Sequence, residues 1–381
     1  MPLATPAPLP DATQYPAGSQ VNFDGRAFSV ASNQQVVMLG AVGELPHLPP
    51  TGQAFAMVEL RSQDGGGTGA DDTVLSVDYG TQPPTVSVGR SVQLEDLQLT
   101  GLRDESTKQD AGRQFNCPQC GAPVDVKLAS SKSITCAACH SLIDLTQGIG
   151  AELRHAVQDE PVQPLIPLGS IGQLQGVPWQ VVGFQHRMGN NPTEPDGQFG
   201  WQEYLLYHRQ RGFIFLVDSN DGWSVVKPTT GAPHIGPGGR SASYLGKVYP
   251  FKDSYAAATR YVVGEFYWQV SRGQQTVNRD FADGRHLLNM EQSAAEVTWS
   301  VGSQIDGDAV AAAFKLDASK ALFQRADATP FSFSAGSLKV GLIVLLVIVI
   351  LLVLLFSRSS CDPALQDCAS GGSGYRSSGG A

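Results

Sequence analysis

Charged side chains are scarce in this chain. Asp, Glu, Lys and Arg make up 16% of its 381 residues, against roughly 25% in ordinary soluble domains. Basic residues are scarcer than acidic ones, 26 against 35, and the formal net charge is −9. The Lys and Arg residues are scattered, with no basic stripe, so the electrostatic footprint of a nucleic-acid binder is missing. The same acidity disfavours adsorption on anionic lipid. Catalytic signatures are also missing: there is no GxSxG elbow, P-loop, HExxH helix or GxGxxG turn. The N-terminal Met1-Pro2-Leu3-Ala4-Thr5-Pro6 has no basic region and no apolar core, so no secretory signal is visible there.

Turn formers and cysteines are what the chain does hold. Gly (42) and Pro (24) punctuate short apolar or alternating runs, a pattern that predicts β-rich domains over helical bundles. Cys117-Pro118-Gln119-Cys120, fifteen residues, then Cys136-Ala137-Ala138-Cys139 is the most specific motif. Two CxxC pairs so spaced bring four thiolates to one tetrahedron, the coordination of a structural Zn²⁺. Cys117, Cys120, Cys136 and Cys139 are therefore the expected metal ligands, on two knuckles joined by a hairpin. Four thiolates close the coordination sphere, so the expected role is structural. Such a module, of about 30 residues, is too small to hold a core alone, and the ion supplies its folding energy.

Other readings of the four cysteines are weaker. Cys136-Ala137-Ala138-Cys139-His140 also spells the CxxCH haem attachment motif. Covalent haem requires export, and it leaves Cys117 and Cys120 unused. A redox dithiol needs a βαβ context, and two would be redundant. His140 is an alternative ligand to one of the cysteines.

Residues 338–356 form an apolar run with Lys339 as its only charge. Nineteen helical residues span about 28 Å, close to the hydrocarbon core of about 30 Å, so a single transmembrane helix is expected. Lys339 and Arg358 flank the run almost evenly and leave orientation open. The absent signal and the reducing environment that suits a Cys₄ zinc site place the bulk of the chain on the cytoplasmic side of the cytoplasmic (inner) membrane. The tail 357–381 is Gly/Ser-rich and carries Cys361 and Cys368. These are free, disulfide-linked or, for Cys361, lipidated.

The fold class expected is mainly β: two small barrel- or sandwich-like domains separated by the zinc ribbon, with one C-terminal membrane helix. Residues 1–17, rich in Pro and Ala, read as disordered. A β-rich domain follows over 18–102, then a polar linker at 103–112, the ribbon at 113–146 and a connector at 147–167. The second β-rich domain covers 168–316 and a tether 317–337. Phe23-Asp24-Gly25-Arg26-Ala27-Phe28-Ser29-Val30 parallels Leu174-Gln175-Gly176-Val177-Pro178-Trp179-Gln180-Val181, and Gly52-Gln53 with Glu59 parallels Gly197-Gln198 with Glu203. The parallel suggests that the first domain repeats the second.

Leu168-Gly169-Ser170 with 174–183, Trp201-Gln202-Glu203-Tyr204-Leu205-Leu206, and Gly264-Glu265-Phe266-Tyr267-Trp268-Gln269-Val270-Ser271-Arg272-Gly273 together resemble the motifs of the bacterial domain-of-unknown-function 4178 family. The resemblance covers about 165–302, with a fainter copy at 18–102. Zinc ribbons and a membrane helix followed by Cys-Asp-Pro, here Cys361-Asp362-Pro363, are similar to members of this group. The family has no established activity. Its members' neighbourhood with genes for membrane proteins and polyamine-synthase-like enzymes implies an envelope-stress or polyamine-linked system.

No residue set is compelling as catalytic, and none is assigned to a cofactor other than zinc. Glu203 and Glu265 each sit in an aromatic strand motif, as an acid–base pair in a pocket or as structural carboxylates paired with an Arg such as Arg260 or Arg285. His155, His186, His208, His234 and His286 lack metal-ligand spacing. Trp179, Trp201, Trp223, Trp268 and Trp299 are expected to fill the core. The function expected is a membrane-anchored, non-enzymatic adaptor that binds a membrane-associated protein partner and no nucleic acid. The alternative is a small-ligand sensor or uncharacterised enzyme built on 168–316.

Overall fold

The computed structural model describes residues 2–3, 9–38, 40–41, 43–44, 51–63, 73–90, 92, 97, 113–146, 148, 153–158, 161–191 and 197–324. The expected membrane helix at 338–356, the linker at 103–112 and the tail at 357–381 lie outside them. Among the described residues no helix is long and apolar enough to cross a membrane.

Eight strands from the second half of the chain close into an antiparallel barrel: β1 (Val177–Asn190), β2 (Gln198–His208), β3 (Gly212–Ser219), β4 (Gly222–Pro228), β5 (Lys247–Phe266), β6 (Gln275–Asp283), β7 (His286–Gln292) and β8 (Val297–Ile305). β1 to β4 form a meander, β4 pairs with β8, and β8 to β5 run back through β7 and β6. β1 then pairs with β5 and shuts the ring.

The strands alternate, and a large set of apolar side chains faces outward, while Phe199, Trp201, Phe215 and Val217 line the interior together with polar groups. Trp179, Val181, Phe184, Tyr204, Leu206, Leu216, Trp223 and Val225 form one outer core. Helix α1 (Gly307–Ala313), a 3₁₀ turn at Asp317–Phe323 and Ile166 cover it. Trp223 Nε1 donates to Phe323 O at 3.1 Å. The chain is thus packed on the barrel as far as Phe323, seven residues into the segment expected to be a tether. The opposite outer wall, with Phe281, Leu288, Met290 and Trp299, packs under Ala242, Tyr244 and Tyr249 of the hairpin that leads into β5. With both outer walls covered, the barrel needs no wholly apolar interior.

The first domain is a six-stranded antiparallel sheet whose core is Phe28, Val30, Val58, Leu60, Val77 and Val86. The start of the chain, expected to be disordered over 1–17, packs on this sheet where it is described. Tyr15 is buried, and Asn33 Nδ2 donates to Ala12 O and Tyr15 O. The sequence parallel falls on two hairpins of one geometry. Asp24-Gly25 and Gln175-Gly176 both turn with positive φ, 50° and 76° against 51° and 77°, and the long strand after each turn carries a bulge. Glu59 and Glu203 do not correspond: Gln34 faces Met57 where Gln185 faces Glu203. Within the connector at 147–167, His155–Ala156 forms a short strand.

Closure depends on two glycines. Gly183 and Gly264 face each other across β1 and β5. A Cβ on Gly264 would sit 2.3 Å from Val182 O, on a residue whose φ is +103°. Gly264→Ala is expected to cost roughly 2–4 kcal/mol from strain and overpacking, read as a lower denaturation midpoint. Gly89→Ala, with ordinary φ and nothing within 4 Å, should be neutral within about 0.5 kcal/mol.

Candidate functional site

The structure gathers Cys117, Cys120, Cys136 and Cys139: all four Sγ atoms lie within 4.8 Å of one another. Cys117 and Cys139 are 3.7 Å apart, as are Cys120 and Cys136. With metal–sulfur bonds of about 2.3 Å, the edge of a tetrahedral thiolate site is about 3.8 Å, so the donors already stand at ligand spacing. The knuckles are local copies of each other. Cys117 N bonds Ala122 O and Gly121 N bonds Cys117 O; Cys136 N bonds Ser141 O and His140 N bonds Cys136 O. Gly121 and His140 take the matching left-handed positions, φ 75° and 59°. His140 is therefore a turn residue, and the cluster holds the four cysteines alone. Ser141 Oγ lies 3.3 Å from Cys139 Sγ, and its hydrogen bond brings that thiol down to about 6, whereas burial pushes the Cys117 thiol up.

The second site was not foreseen. The barrel holds a cavity of about 710 Å³, inside the range of small-molecule sites. Arg187, inward on β1 and 4% exposed, lines it. Its Nη1 and Nη2 donate to Glu291 at 2.8 and 3.0 Å, and Nη2 also reaches Thr276 Oγ1 at 2.8 Å. Glu203 Oε1 lies 3.6 Å from Nη1, and the Trp201 ring centroid is 5.3 Å from Cζ. Burial opposes the charge on Arg187, but the fields of Glu291 and Glu203 outweigh it and raise its pKa. The Arg187 Nε is buried with no partner among the described residues.

Further groups complete the wall. Trp201 Nε1 donates to Glu203 Oε1 at 2.6 Å, and Gln185 Nε2 donates to Glu203 Oε2. Phe199 and Trp201 stack, and Tyr255 meets both edge-on, with centroids 4.9–5.7 Å apart. Tyr255 OH and Asn289 Nδ2 donate to Asp280 at 3.1 and 2.6 Å. Burial pushes both the Asp280 carboxyl and the Tyr255 phenol upward. Six carboxylates line the cavity, against Arg187 and Lys252, and Lys252 is bonded to Asp221.

Glu203 and Glu265 are not brought together. Glu203 faces the cavity, whereas Glu265 turns outward and accepts hydrogen bonds from the metal module. Neither pairs with Arg260 or Arg285; Arg285 pairs with Asp306. Among the described residues no His joins a metal cluster. Trp179 and Trp223 fill an outer core, as expected of them. Trp201 and Trp268 line the cavity, and Trp299 both lines it and packs in a core cluster. The missed residues, Arg187, Gln185, Thr276, Asn278 and Glu291, share one signal: each is a polar residue two positions from another inward polar residue on its strand.

Residues 167–307 match the family model described as Domain of unknown function (DUF4178). This segment, which is the barrel, is similar to that family. No curated protein and no solved structure matches the chain.

Loss of the guanidinium would strand Glu203 and Glu291 inside the barrel. Arg187→Met is expected to destabilise the fold by about 3–5 kcal/mol, measured by denaturant unfolding at neutral pH. Adding Glu203→Gln and Glu291→Gln should recover most of that loss.

Proposed function

We propose that this chain is a membrane-tethered receptor: the barrel binds a small organic cation, and the chain relays occupancy to a protein partner at the cytoplasmic membrane. The observation that carries the reading is the cavity of about 710 Å³ lined by Arg187, carboxylates and aromatic rings. Arg187 has its charge answered by Glu291 and Glu203, so it is not a free anchor for an anion. The remaining carboxylates and the aromatic rings of Trp201, Tyr255 and Trp268 favour ammonium groups, by charge and by cation–π attraction. The polyamine-linked setting implied by the family resemblance falls in that class. Binding is favoured over catalysis because the central carboxylates are already committed to Arg187.

In this reading the ion of the ribbon is Zn²⁺, which suits a closed tetrahedral thiolate shell and acts structurally. The 338–356 helix supplies the tether.

Elemental analysis of the reduced full chain should find one zinc per molecule, lost in Cys117→Ser/Cys136→Ser. A protein that holds no metal rejects the zinc assignment. Calorimetric titration of the full chain in detergent with spermidine, putrescine and choline, and with citrate and glucose as controls, should show binding of one or more of the cations and of neither control. Trp201→Leu should weaken it roughly tenfold. If citrate binds and the cations do not, the class is wrong. If nothing binds but a partner co-purifies with the chain from membranes, the simple adaptor expected from the sequence takes its place.

A further inference from the structure

We infer that Glu265 couples the metal module to the end wall of the barrel, so that the ion held by the four cysteines sets the placement of Tyr267 and Trp268 in the cavity. This rests on the metal reading above and is independent of which ligand the cavity takes.

The ribbon is built into the barrel sheet. Its strand Ser133–Thr135 pairs with the last residues of β5, Ile134 opposite Glu265 and Ser133 opposite Phe266. Glu265 is 7% exposed, and its carboxylate forms no ion pair among the described residues. It accepts instead from Lys127 N at 3.0 Å, Leu128 N at 3.0 Å and Ser131 Oγ at 2.8 Å. These donors lie on the turn between the two CxxC knuckles. Converging donors answer a buried carboxylate well, but only while the turn that presents them is fixed.

The second knuckle is tied to the same strand from both flanks. Thr135 precedes Cys136, and its Oγ1 accepts from Gly264 N at 2.7 Å. His140 follows Cys139, and its carbonyl accepts from Gln158 Nε2 at 2.6 Å. Gln158 also exchanges two hydrogen bonds with the backbone of Val262.

The segment after β5 is the piece being held. Phe266 O accepts from Lys132 N at 2.8 Å, Val270 N donates to Ser133 Oγ at 2.9 Å, and Gln269 Nε2 reaches Asp144 Oδ2 at 2.7 Å. Between these ribbon contacts lie Tyr267 and Trp268, which line the cavity and pack on Phe213 and Phe215 with centroids 4.5 and 5.9 Å apart. Two cavity residues are therefore fixed by a module whose own core is a handful of small aliphatics. Such a module needs its ion to stay folded. Without the ion the donors to Glu265 scatter, and a buried carboxylate is left unanswered beside the wall.

Hydrogen–deuterium exchange on the full chain in detergent tests this with no ligand present, after zinc content has been measured. Chelation should speed exchange in both 127–145 and 264–272 while 214–226 and 298–304 stay protected. Glu265→Gln, which leaves the four thiols intact, should keep its zinc yet speed exchange in 264–272 roughly tenfold, because charge-assisted bonds are exchanged for neutral ones. Unchanged protection of 264–272 on chelation overturns the inference. So does equal loss of protection across the whole barrel, which would make the ribbon a general stabiliser. Should Glu265→Gln fail to fold, the chelation experiment on the native chain still decides. Failure of the cation titrations bears on the ligand class alone.

Discussion

The pairing of β1 with β5 is the constraint on which the other features depend. It turns an open meander into a ring, and a ring has an inside. Once Gly183 and Gly264 let the two backbones approach, every inward side chain loses bulk water and must find its partner among the other inward side chains. An eight-stranded ring is wide enough either to be filled or to hold one small ligand. Here it is not filled with aliphatics. Arg187, Glu291, Glu203, Thr276 and Gln185 satisfy one another across the interior, leaving space around them.

That inversion explains the outer architecture. A barrel whose interior holds a network of buried charges gains much of its hydrophobic stabilisation outside, and this one does so on two faces. Helix α1 and the Phe323 turn cover Tyr204, Leu206 and Trp223, and the hairpin before β5 covers Phe281 and Trp299. The buried ion pairs contribute little net stability compared with apolar packing of the same volume. Their retention fits the shaped cavity that they line.

The metal module joins this scheme through β5. The same long strand closes the ring near Gly264, presents Glu265 to the ribbon and leads into Tyr267 and Trp268. Three successive residue environments on one strand thus belong to the closure, the ribbon and the cavity. The family match over 167–307 contains all three, although the ribbon itself lies before it.

Some of this was legible in the residues alone. The cysteine cluster was, because CxxC spacing is a local geometric statement: two residues between thiols make a knuckle whatever surrounds it. The β-rich class followed from turn residues and alternation, and the apolar run at 338–356 from its length. The cavity was not legible. Alternation shows that a strand has two faces but not which one is enclosed, and Arg187 meets Glu291 104 positions further along the chain. Glu203 and Glu265 looked alike in their aromatic motifs, yet one faces the cavity and the other the ribbon. Local spacing fixed the four-cysteine cluster because the chain itself holds the thiols close. Ring closure decided the inside from the outside, because only long-range strand pairing defines an interior.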